Sequence, residues 1–290
     1  EFAGVIKMGR TQLQDAVPMT LGQEFEAWGI MVEEDMARVQ EAQALIREIN
    51  MGATAIGTGL NAHPAYAALV TERLAQVSGV PVVKAKNLVE ATQDAGAYVQ
   101  LSGVLKRVAV KLSKISNDLR LLSSGPRAGL GEINLPAMAP GSTIMPGKVN
   151  PIIPEVVNQV AFEVIGNDLT VTMAAEAGQL ELNAFEPVIA FNLFRSMDML
   201  GRACRTLAQR CIQGITANRE HCRRMVENSI GLVTALNPLI GYEKSAEIAK
   251  EALSSGRAVT EIVLEKGYLT REELEDLLSP QNMTKPRYLS

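Results

Sequence analysis

The sequence predicts an all-α protein: a bundle of long near-parallel and antiparallel helices with a small C-terminal helical domain. Three observations lead there. Four segments repeat apolar residues at alternating steps of three and four, and no run of alternating apolar and polar residues competes with them. The apolar stock is large, 47% of 290 residues, but only 4% of the chain is aromatic, so the core must be aliphatic. A period near 3.5 sustained over several turns is the seam of long helices packed at shallow angles. Segments this long exceed the mean globular helix of about 11–12 residues, which favours a bundle.

The first seam reads Leu21, Phe25, Trp28, Val32, Val39, Ala42, Ile46 and Ile49, behind a capping-box pattern of Thr20 and Gln23. Glycines at 52, 57 and 59 end it. The second seam runs Leu101, Leu105, Val108, Leu112, Ile115, Leu119, Leu122 and stops at Ser123-Ser124-Gly125-Pro126. Residues 125–150 are rich in Gly and Pro and read as a long loop, a length uncommon without a function. Asn150-Pro151 then reopens a helix, with Asn as N-cap and Pro at the first helical position. The third seam is Val157, Val160, Val164, Val171, Gly178, Leu182, interrupted by Asn167 and Asp168, which need hydrogen-bond partners if buried. The fourth is Leu193, Met197, Leu200, Cys204, Leu207, Cys211. Asn237-Pro238-Leu239-Ile240-Gly241 breaks the pattern, so we divide the chain into a helical-bundle domain over 1–236 and a small helical domain over 237–290. The latter contains a capping box at Thr270 and Glu273 and a stop near Ser279-Pro280.

Composition narrows the function. A net charge of -4 argues against a nucleic-acid binder, and no stretch is apolar enough to span a bilayer. Three cysteines without a CxxC pair argue against a disulfide framework or a zinc site and fit a reducing, cytoplasmic compartment. Cys204 and Cys211 share a seam and read as packing residues, as do the methionines. His63 and His221 read as surface residues, and Arg107, Lys111 and Lys114 as a solvated stripe. The chain opens at Glu1-Phe2 without Met, a pair that a common cloning site encodes, so we read it as a truncated piece.

Chemistry concentrates in Gly141-Ser142-Thr143-Ile144-Met145-Pro146-Gly147-Lys148-Val149-Asn150. Two hydroxyls and a lysine precede a helix start, whose unpaired N–H groups and partial positive charge suit a carboxylate or phosphate. The order of residues is not that of a P-loop. A well-capped linker is the other reading of the same stretch.

These ten residues resemble the GSSxMPxKxN signature of the fumarase/aspartase superfamily, with only Thr143 departing and keeping a hydroxyl. Gly9-Arg10-Thr11-Gln12-Leu13-Gln14-Asp15 resembles a second signature of that superfamily. The likeness continues through Ser124-Gly125-Pro126-Arg127 and Leu236-Asn237-Pro238, so it covers essentially the whole chain. Gln12 stands where fumarases place His, and Gly178-Gln179-Leu180 and Gln281-Asn282-Met283 look like the aspartase branch.

The resemblance implies reversible deamination of L-aspartate to fumarate and ammonia, with no organic cofactor and no metal ligands. It assigns Ser142 as the general base, with Lys148 and Asn150 holding substrate carboxylate. Thr11, Gln12, Thr143 and Met145 would line the pocket, Glu155 would support it, and the segment 138–148 would close as a lid. In fumarases the residue matching Glu155 pairs with the His that Gln12 replaces, so hydrogen-bonded positioning replaces a proton relay here. It further implies a homotetramer whose sites draw on several subunits, and an N-terminal signature domain that this chain lacks, so the chain alone should be weakly active or inactive. A fumarase, a related lyase acting on another succinyl compound, and a non-catalytic helical scaffold are the competing readings.

Overall fold

The seams become helices. A computed structural model describes residues 1–139, 145 and 147–284. In chain order the elements are β1 (Ile6–Thr11), β2 (Gln14–Thr20), α1 (Leu21–Leu45), β3 (Glu48–Ile49), α2 (Tyr66–Ser78), β4 (Val83–Lys84) and α3 (Gly96–Leu122). They continue with β5 (Ile133–Asn134), α4 (Ile152–Glu176), α5 (Glu186–Leu207), β6 (Thr216–Ala217) and α6 (Arg219–Asn228). The last are α7 (Leu232–Ile240), α8 (Tyr242–Ser255), α9 (Val259–Glu265), α10 (Arg271–Leu277) and α11 (Pro280–Met283). The architecture is that of a helical protein with only small sheets, as the periodicity requires. Among the described residues no helix is long and apolar enough to cross a membrane. The chain divides into two units: Glu1–Gly29, Leu121–Pro136 and Gly214–Ser290 form the first, Ile30–Arg120 and Ala137–Gln213 the second.

The first unit opens with an element that the sequence reading missed. β1 and β2 form an antiparallel hairpin, in register from Ile6–Thr20 to Thr11–Gln14, with an irregularity between Met8 and Arg10. Ile6, Lys7, Met8 and Gly9 are all buried, so β1 is covered on both faces and shows no alternation to find. The expected capping box starts α1: Gln23 N donates to Thr20 Oγ1 at 3.1 Å and Thr20 N to Gln23 Oε1 at 3.0 Å. One aliphatic core joins Ile6 and Met8 of the hairpin to Val226, Leu232, Leu236, Ile248, Ile262, Val263, Leu274 and Leu277. The break expected over 237–241 falls at its last residue. α7 continues through Pro238 and ends at Gly241, whose φ of 85° only glycine adopts cheaply. The capping box at Thr270 and Glu273 starts α10 as expected.

In the second unit α4 packs along α5. Val157, Ala161, Val164 and Val171 are buried from α4, and Ile189, Leu193, Leu200, Ala203 and Leu207 from α5. Buried polar residues tie α4 to its neighbours α3 and α5. Asp168 accepts from Ser102 Oγ at 2.8 Å and from Lys106 Nζ at 2.5 Å, and Asn167 Nδ2 donates to Ser196 Oγ at 3.1 Å. That is the partnering anticipated for Asn167 and Asp168.

Several expectations need correction. The first seam leaves the helix before Ile46 and Ile49, and the third before Gly178 and Leu182. Cys204 is exposed while Ala203 is buried, because the stripe steps by three there rather than four. Many methionines are exposed, among them Met36, Met51 and Met173. Arg107 and Lys111 are not a solvated stripe: they reach Asp35 of α1 at 3.0 and 3.1 Å, and Asp35 is buried. His221 is half-buried, its Nε2 2.8 Å from the Leu130 carbonyl oxygen. His63 is exposed as expected.

Candidate functional site

The hairpin tip carries Thr11 and Gln12. Register pairs Thr11 with Gln14, which leaves Gln12-Leu13 as a two-residue turn with φ of 53° and 62°. Positive φ at both positions matches the twist of the strands, but Asn or Gly normally supplies it. Holding two ordinary side chains there costs of order 1–3 kcal/mol each, a strain found where backbone geometry serves function. The missing Asn-Gly signal also hid this turn from the sequence reading. Thr11, Gln12 and Leu13 are exposed.

Beside the tip lies a cavity of about 1080 Å³, lined by Leu13 to Ala16, by the α6–α7 connection and by α8. Asp15 anchors this side of the hairpin: its carboxylate accepts from Ser229 Oγ at 2.6 Å. On the paired strand Glu132 receives Arg10 Nη1 at 2.5 Å and sits 3.0 Å from Lys7 Nζ, which also reaches Glu24 at 2.5 Å.

Of the loop signature, Ser142 and Thr143 fall outside the described residues, as does most of the lid expected over 138–148. Met145 is exposed, and its carbonyl oxygen accepts from Lys148 N at 3.3 Å. The Lys148 side chain is exposed, with no ion pair among the described residues, and Asn150 is half-buried. The expected cap is displaced by one residue. Pro151, with φ -79° and ψ 53°, takes the N-cap position, and Ile152 N donates to Asn150 O at 2.9 Å.

Glu155 sits in the first turn of α4, where a carboxylate complements the helix dipole. Its partner in this chain is Arg120, at 3.6 Å. Arg120 also donates to Asn158 Oδ1 at 3.2 Å, and Asn158 Nδ2 donates to Ser113 Oγ at 2.8 Å and Asn117 Oδ1 at 3.0 Å. This buried amide pins the start of α4 to α3. Sequence reasoning missed Arg120, Ser113 and Asn117, because polar residues on a helix flank read as solvated. The only available signal was that Asn158 interrupts the apolar opening of α4.

The candidate residues thus fall into two sets. Thr11 and Gln12 lie in the first unit; Met145, Lys148, Asn150 and Glu155 lie in the second. Among the described residues no group of three or more His, Cys, Asp or Glu is placed to hold a metal ion.

Comparison with known proteins assigns the chain. A family model described as "Lyase" matches residues 1–166, and one described as "Fumarase C C-terminus" matches residues 232–285. The chain belongs to the fumarase/aspartase lyase family. Within it, the chain is 66% identical over 286 residues to an aspartate ammonia-lyase of Helicobacter pylori, which covers 99% of this chain and 61% of that protein. It is 59% identical over 288 residues to the aspartate ammonia-lyase of Escherichia coli K12, covering 99% of this chain and 60% of that one. The chain therefore spans about three fifths of the length of the curated relatives it matches. Among solved structures, a fumarate lyase/delta crystallin from Brucella melitensis superposes with a TM-score of 0.95 at 61% identity, over 98% of this chain and 62% of that one. A class II fumarase from Schistosoma mansoni superposes with a TM-score of 0.87 at 37% identity, over 99% and 63%.

Proposed function

We propose that the protein is a carbon–nitrogen lyase that interconverts L-aspartate with fumarate and ammonia. The observation that carries this reading is identity of 59–66%, over nearly the entire chain, to relatives named aspartate ammonia-lyase. Gln12 in place of a histidine favours ammonia over water as the leaving group, and identity to the solved fumarase is lower, 37%.

In this reading Ser142 removes the C3 proton of L-aspartate. The electron pair moves into the adjacent carboxylate as an aci-carboxylate, then returns to form the C2–C3 double bond as the C2–N bond breaks and ammonia departs. A serine works as a base only if its alkoxide is stabilised, at about 1.4 kcal/mol per pKa unit. Lys148 supplies positive charge beside it, and Asn150 supplies an amide donor for the substrate carboxylate. Thr143 and Met145 complete that side; Thr11 and Gln12, at the tip of a strained hairpin, contact the substrate from another subunit of a homotetramer.

An apolar seam on α4 supports assembly. Phe162, Leu169 and Met173, 61–64% exposed, lie on the face opposite its buried residues. A helix apolar on both faces needs cover on both. Three free cysteines fit the cytoplasm. The chain by itself, lacking the rest of a relative's length, is then weakly active or inactive.

The test is fumarate formation from L-aspartate and L-malate in parallel, by the full-length protein and by this chain. A rate with aspartate alone supports the reading; a rate with malate alone overturns it in favour of a fumarase. Ser142→Ala should lower turnover by about 10²–10⁴-fold, the usual worth of a general base, and near-normal turnover would remove Ser142 from that role.

A further inference from the structure

We infer that Glu132 is a positioning residue for substrate: it sets the hairpin that carries Thr11 and Gln12. The inference rests on the lyase reading for its kinetic consequence, but not for its geometry.

Glu132 is fully buried, which carboxylates rarely are unless paired. Its side chain faces two cations of β1: Arg10 Nη1 donates to Oε1 at 2.5 Å, and Lys7 Nζ lies 3.0 Å from Oε2, an ion pair outside hydrogen-bond geometry. Lys7 is itself 2% exposed and turns its charge also on Glu24 of α1. Two cations and two carboxylates thus form a balanced cluster under the hairpin.

The backbone of Glu132 is fixed as firmly. Its N–H donates to Leu122 O at 2.9 Å, at the end of α3, and its carbonyl oxygen accepts from Asn218 N at 2.9 Å, at the start of α6. Cys222 Sγ lies 3.5 Å from the same oxygen. Asn218 in turn donates from Nδ2 to Gly131 O at 2.7 Å. One residue therefore ties two helix ends to β1, 122 positions away in sequence.

Arg10 is the residue immediately before Thr11, and the turn beyond it holds two non-glycine residues at positive φ. Such a turn persists only if its surroundings over-determine it. The tip is exposed; among the described residues Asp15 with Ser229 restrains β2, and Glu132 with Arg10 restrains β1. Structural stability alone does not require a buried charge cluster here, since well-packed apolar residues often serve as well. A cluster that fixes the direction of Arg10 fixes the approach of Thr11 and Gln12.

The experiment compares Glu132→Gln, Glu132→Asp and Arg10→Lys in the full-length protein, by steady-state kinetics with L-aspartate and by amide hydrogen exchange along residues 6–20. Glu132→Gln should raise KM about tenfold with kcat within about threefold, and should speed exchange at the hairpin but not at α4. Glu132→Asp, which keeps the charge, should recover part of the KM. If Glu132→Gln does not fold, Arg10→Lys decides by the same two readouts. Unchanged KM together with unchanged hairpin exchange overturns the inference. If the wild type does not act on aspartate, the lyase reading fails while hairpin exchange still judges the positioning role.

Discussion

The two units satisfy their apolar residues in different ways. In the first, the hairpin and α6 to α10 converge on one aliphatic core in which Leu232, Leu236, Ile248, Ile262 and Val263 reach 0% exposure. In the second, α4 and α5 bury one stripe each and leave another open: Phe162 and Leu169 on α4, Phe191 and Phe194 on α5. Polar cross-links to α3, and between α3 and α1, run through Asp168, Asn158 and Asp35 beside the buried apolar stripe of α3. The first unit gathers its buried apolar residues into one core; the second presents long helices whose outer faces remain apolar and exposed. Short helices around a centre can shield it from all sides, whereas a rod-like helix in a pair shields only the face it shares.

Core truncation tests this difference most severely. Leu236→Ala should destabilise by about 2–5 kcal/mol, the range for a buried leucine in a tight core, read as a lowered urea midpoint at unchanged slope. A loss below about 1 kcal/mol would show that the core of the first unit is looser than its burial indicates. The same chemistry on the open face should act elsewhere. Leu169→Ser should leave the melting of a dilute chain nearly unchanged but weaken association by about 1.5–3 kcal/mol, the worth of burying one such side chain. Sedimentation across a concentration series reads this directly; an unshifted association curve would mean that α4 does not face a partner.

How far the sequence foretold the two units follows the same division. The long helices were legible, because α3 and α5 each repeat one apolar stripe against a polar remainder, and the capping boxes at Thr20 and Thr270 marked two starts. The first unit was legible only in part. Its hairpin contains Lys7 and Arg10, charges that read as surface, and their burial depends on Glu132, which no local pattern connects to them. Pro238 reads as a helix breaker, yet α7 extends past it to Gly241. Of the candidate site, the resemblance supplied Thr11, Gln12, Lys148, Asn150 and Glu155 as expectations. Glu132 and Arg120, which pair with Arg10 and Glu155, come from other segments of the fold and carry no motif.

A smaller effect is expected at the polar ties. Asp168→Ala strips Ser102 and Lys106 of their acceptor and should cost about 1–3 kcal/mol, the penalty for an unsatisfied buried donor, reduced because Lys106 is half-exposed. If it costs nothing, the ties between α3 and α4 are dispensable and apolar packing alone holds the second unit.

The thiols offer the finest comparison, since each unit buries one. Burial pushes Cys222 of the first unit up to about 11, with the Glu132 charge adding to it against Lys7 and Arg10, and burial alone pushes Cys211 of the second up to about 11. The folded state therefore holds its protons more tightly than the unfolded chain, whose thiols ionise near 9. Each thiol's contribution is complete below about pH 9, declines as pH rises toward 11, and is lost beyond it, at most roughly 2–3 kcal/mol apiece. Urea titrations from pH 8 to 11 should show this decline, and Cys211→Ala and Cys222→Ala should each flatten part of it. Glu132→Gln should lessen only the Cys222 share, because its charge faces that thiol and not the other. If both shares fell equally, Glu132 would be acting through the general stability of the chain rather than through its local field.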